Sequence, residues 1–223
     1  MLVTISLLSS LLPISSFIFF CSRKGTKALW VIFISSITSL LTDGLVWMSK
    51  WGFLHKYLLW NLYSILEYYL LIYFFYLIIK NRLVKFIIIL LSIVFIILCF
   101  SFSKYENEQF NSLISSISSV TILILSICYF MIALRPTTDT TNLITPNFLI
   151  SLALLLYVAT TLFLYIVVNR LSQEQLHKYW AINQFANIVV NLIISIAFFI
   201  SRSQNKSKPP ENISVDFTFP NNR

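Results

Sequence analysis

The chain has 223 residues, 58% hydrophobic and 11% charged, with a formal net charge of +8 and a mean hydropathy of +0.83. Soluble domains carry about 25% charged residues, so the charge here is too sparse to coat a water-facing surface. The solvent of most of this chain is lipid; its basic residues fall between apolar runs as membrane-flanking charges, and nucleic acid is excluded as a partner.

The first apolar run, 2–21, is long enough to cross about 30 Å of hydrocarbon at about 1.5 Å per residue. It lacks a basic leading region and a small-residue cleavage site, which predicts a retained helix, not a cleaved signal peptide. Further runs at 28–49, 58–79, 84–103, 112–134, 147–168 and 180–201 complete seven predicted spans. The fold expected is an all-α membrane protein, one bundle of seven transmembrane helices over 1–201. Connections are short, and the longest, "RPTTDTTNLITPN", is polar and punctuated by Pro136 and Pro146. Residues 202–223 are too polar to fold alone and are expected to form a disordered cytoplasmic tail.

The basic residues set an orientation. Arg23, Lys24, Lys27, Lys80, Arg82, Lys85, Arg135, Arg202, Lys206, Lys208 and Arg223 fall on one side; Lys50, Lys56, Lys104, Arg170 and Lys178 fall on the other. The richer side belongs in the cytoplasm, so the N-terminus is expected outside and the tail inside, in a bacterial inner membrane. No internal repeat of the kind that builds transporters is visible: Pro13 and Pro146 do not correspond, and the Glu67 helix has no acidic counterpart in the last span.

With that orientation, polar residues share the outer half. Glu67 interrupts "WNLYSILEYYLL" about 13 Å down its span, one turn after Tyr63, and Asp43 lies about 9 Å down. Thr160 and Thr161 fall near the depth of Asn187, and the serines of "NSLISSISSV" lie in the same layer. The last span carries Asn183, Gln184, Asn187 and Asn191, and the spacing Trp180, Gln184, Asn187, Asn191, Ser195 draws one stripe along a helix face. The inner halves, "LLIYFFYLII" and "FIIILLSIVFIILCF", are nearly free of strong polar groups. An ionisable group at mid-depth faces the bundle interior or a watery cavity, because facing lipid costs several kcal/mol. The predicted polar core is therefore Glu67, Tyr63, Asp43, Trp180, Asn183, Gln184, Asn187, Asn191 and Thr161, open to the exterior. Two roles suit these residues: holding helices together by hydrogen bonds, or contacting a ligand.

Several chemistries find no support. Cys21, Cys99 and Cys128 show no pairing or ligand spacing and read as small apolar residues. His55 and His177 form neither HxxxH nor HExxH, so no metal and no zinc hydrolysis is expected. The last span has no lysine between Trp180 and Ile200, which excludes a retinal Schiff base. Three glycines make no phosphate loop, and no nucleophile elbow is present.

Three stretches taken together, "WNLYSILEYYLL", "PNFLISLALLLY" and "HKYWAINQFANIVVNLIISIAF", resemble a family of small seven-helix membrane proteins from Bacteroidota without an established activity. The resemblance covers nearly the whole membrane part and implies Tyr63, Glu67, Trp180, Asn187 and Asn191 as positions to test. The function expected is a non-enzymatic sensor or receptor-like subunit, without a cofactor. It would bind a small or lipidic ligand and act through a cytoplasmic or membrane signalling partner. The alternatives are a proton-coupled transporter using Glu67 and, third, a lipid-modifying enzyme.

Overall fold

Lipid offers a backbone no water to bond with, so a chain inside it satisfies its amides within helices or a closed barrel. A computed structural model describes residues 2–21, 25–49, 56–102, 112–134, 145–167, 170 and 172–207, and among these there is no strand. Its helices are α1 (Leu2–Ser9), α2 (Leu11–Phe20), α3 (Lys27–Ser49), α4 (Lys56–Ile78), α5 (Arg82–Phe102), α6 (Ser112–Ala133), α7 (Pro146–Val167) and α8 (Gln173–Ser207). Six of them, α3 to α8, contain stretches long and apolar enough to cross a membrane. This is a multi-pass helical membrane bundle.

The helix starts are written in the local sequence. The Asn81 side chain accepts a hydrogen bond from the Leu83 amide at 2.9 Å, and Thr145 does the same for Phe148 at 3.2 Å, just ahead of Pro146. Both are N-caps, and proline suits a first helical turn because its missing N–H is not needed there. Ser172 and Gln175 bond reciprocally through side chain and backbone, a capping box that opens α8.

Two boundaries differ from the sequence expectation. The first predicted span is two helices, with Ser10 between them at φ −66° and ψ −17°. Pro13 is the physical reason: it has no N–H for the Ser9 carbonyl, and its ring crowds that carbonyl. The apolar stretch there, Thr4–Phe20, is shorter than the other six. At the far end, α8 continues through Ser207, so the polar tail begins as helix; residues 208–223 lie outside the described residues.

The helices close a ring. Helix α2 packs on α3, α3 on α4, α4 on α6, α6 on α7, α7 on α8, and α8 returns to α1 and α2. Helix α5 stands beside this ring and leans on α4. Two adjacent tyrosines hold it: Tyr68 donates to the Leu91 carbonyl at 3.3 Å and Tyr69 to the Ser92 carbonyl at 3.0 Å. The Tyr68 and Phe95 rings stack with centroids 3.7 Å apart. The buried side chains of α5, Ile88, Phe95 and Cys99, form a narrow stripe, while Leu83, Phe86 and Phe100 are largely exposed, as suits lipid contact.

The ring has two unlike ends. At one end α3, α5 and α7 finish and α4, α6 and α8 begin. Toward the other end the buried side chains are mostly aromatic and aliphatic, among them Phe17, Leu29, Ile32, Phe74, Phe75, Ile79, Ile150, Ala197 and Phe198, with the hydroxyls of Ser126, Ser151 and Ser201 buried beside them.

Candidate functional site: a hydroxyl-lined cavity at Glu67

The site lies near the end where α4 and α6 begin. Helical spacing places Tyr63 and Glu67 on one face of α4, one turn apart, and the Tyr63 phenol donates to Glu67 Oε1 at 2.9 Å. Ser39 of α3 reaches the same phenol, and Asp43, half-buried on α3, lies within electrostatic range of both Tyr63 and Glu67. Ser64, next to Tyr63, faces α6, where the Ser115 hydroxyl donates to it at 3.3 Å.

Helix α7 completes the wall. Tyr157, Thr161 and Tyr165 recur every fourth residue on one face; the two phenols are 3.3 Å apart, and Thr161 hydrogen-bonds to Tyr165. Between these walls is a cavity of about 20 Å³ lined by Ser64, Glu67, Leu71, Ser115, Ser118, Ser119, Ile122, Tyr157, Val158 and Tyr165. A cavity needs about 10–15 Å³ to hold a water, so this one suits a single water-sized species. No lining residue is basic, and Glu67 makes no ion pair among the described residues.

Of the residues expected from the sequence, Glu67, Tyr63, Asp43 and Thr161 come together here. Trp180 approaches from α8: its ring stacks on Trp60, one turn before Ser64, with centroids 5.4 Å apart. The remaining α8 amides go elsewhere. Asn191 donates to the Ser9 and Ser10 hydroxyls at 2.9 and 3.4 Å, where α1 meets α2. Asn183 is buried and its Oδ1 has no hydrogen-bond partner among the described residues. Gln184 and Asn187 are half-buried and do not line the cavity. Helix α8 neighbours α7, α1 and α2 in the ring, which is why Asn191 meets the α1–α2 step and not α4.

The sequence reading did not single out Tyr157 and Tyr165. Their signal was the four-residue rhythm through Thr161, masked by the general abundance of aromatic residues. Among the described residues no group of three His, Cys, Asp or Glu is placed to hold a metal; His55 lies outside those residues. No family model, curated protein or solved structure matches this chain.

Proposed function

We propose that this protein is a seven-span bacterial inner-membrane protein with its N-terminus outside, acting as a sensor or receptor-like subunit. It binds a small ligand in the Glu67 cavity, entered from the exterior, and passes the binding event to a partner protein. The single observation that supports this reading best is the convergence of Glu67, two tyrosines and four serines, from α4, α6 and α7, around one small cavity, with Tyr63 bonded to Glu67 behind it. A carboxyl held there is an expensive way to join helices, because desolvating it costs more than a neutral hydrogen bond returns. Of the two ligand classes expected, the small one suits the cavity, since a lipid chain needs far more space. Membership of the Bacteroidota family belongs to the same proposal.

A carrier built on Glu67 is the second reading, favoured by the lack of a described cationic partner for its carboxylate. It needs a polar path to the other side, and the buried aromatic and aliphatic side chains of Phe74, Phe75, Ile79 and Phe198 oppose one.

Thermal unfolding of the gently extracted protein tests the receptor reading. The complete small-molecule pool of the growth medium, added to dialysed protein, is expected to raise the wild-type midpoint by several degrees and to leave Glu67→Gln unmoved. Equal responses in the two proteins, including none, would remove the cavity from function.

A further inference from the structure

The hydroxyls around Glu67 are turned in a particular way. Ser64 donates its proton to the Trp60 carbonyl at 2.9 Å. Ser115 can then only donate to Ser64, at 3.3 Å. Tyr63 donates to Glu67. A hydroxyl has one proton and two lone pairs, so with these protons engaged, the Ser64 and Glu67 oxygens meet the cavity as acceptors. Ser118 and Ser119 add further oxygens, and no lining side chain carries nitrogen.

We propose that the cavity binds a single alkali-metal cation, sodium being the probe of choice; this rests on the receptor reading above and names its ligand. Three features carry it together: a set of oxygen donors without nitrogen or sulfur, a volume for one small species, and one lining carboxylate. Oxygen donors suit hard cations, whereas zinc and its neighbours prefer nitrogen and sulfur. Divalent calcium gathers several carboxylates; here Glu67 is the one carboxylate lining the cavity, with Asp43 acting on it only at a distance, which suits a monovalent ion. A protonated acid would also remove the charge, but it needs a single acceptor, and four serine and two tyrosine oxygens line the cavity beside it. The bound cation would tie α4 to α6 through Ser64, Glu67 and the α6 serines.

The test is equilibrium binding of radioactive sodium to the extracted protein, with choline chloride holding ionic strength constant, alongside thermal midpoints in the same buffers. Wild type is expected to bind one sodium per chain saturably and to unfold several degrees higher in sodium than in choline. Glu67→Gln is expected to lose both effects, and Ser118→Ala, which keeps the carboxylate should the first variant not fold, to bind about tenfold more weakly. Equal midpoints in sodium and choline, or sodium binding that survives in Glu67→Gln, would overturn the assignment. If sodium fails while the medium pool still stabilises wild type through Glu67, the cation is wrong and the receptor reading stands. If both fail, both are wrong.

Discussion

Glu67 and Tyr63 are the pair on which the site turns, and their hydrogen bond is open to dissection. Tyr63→Phe removes the donor to Glu67 Oε1 and is expected to cost about 1–2 kcal/mol, read as a lower midpoint of thermal unfolding. In sodium-free buffer, Glu67→Gln is expected to unfold close to wild type, because an amide oxygen still accepts from Tyr63. A large fall would instead reveal a buried ion pair with a residue outside those described. In a double-mutant cycle Tyr63→Phe and Glu67→Ala should be non-additive, since they remove opposite ends of one bond. This pair was legible in the sequence because a four-residue spacing on one helix is local information. Tyr157 and Tyr165 were not, because nothing in α7 says which helix its tyrosine face will meet. The fate of Asn191 was hidden for the same reason: its stripe on α8 is visible in the sequence, but the Ser9–Ser10 step it reaches is 181 or 182 residues away.

The helices differ in how firmly they are held. Helix α8 ties the step between α1 and α2 through Asn191, and interhelical hydrogen bonds within membranes average about 0.6 kcal/mol, with about 1.7 the largest measured. Asn191→Ala should therefore lower stability by about that amount while leaving the ligand response of Glu67 intact; a lost response would join α8 to the site. Helix α5 hangs on Tyr68, Tyr69 and Phe95. The double substitution Tyr69→Phe, Phe95→Ala is expected to raise amide hydrogen exchange in α5 while α7 and α8 keep their protection, because α5 lies outside the ring. Uniform loosening of all helices would show instead that α5 is part of the closed bundle. The six long helices α3 to α8 were legible as apolar runs, whereas the caps at Asn81, Thr145 and Ser172 come from the structure. The break at Ser10 had a local cause, Pro13, yet hydropathy averaged over the run conceals a missing N–H.

The assembled bundle places the carboxyls of Asp43 and Glu67 toward one end and the buried phenylalanines Phe17, Phe74, Phe75 and Phe198 toward the other. The proposed orientation rests on the basic loops, and under it an epitope tag placed after Arg223 should be inaccessible to antibody in intact cells and accessible after permeabilisation. Labelling of intact cells would invert the bundle and place the Glu67 cavity on the cytoplasmic side. Ring closure has a further consequence, in the order of synthesis. Among the described helices, the short apolar stretch at α1 and α2 leaves the ribosome before the others, whereas its partner α8 emerges after them. Until then the hydroxyls of Ser9 and Ser10 wait without the amide that will bond them, and Phe17 lacks the Phe198 ring it will meet edge-on at 5.2 Å. The opening segment is thus committed to its place by the closing one, and a nascent chain halted before α8 would carry a half-built wall that a membrane protease can find.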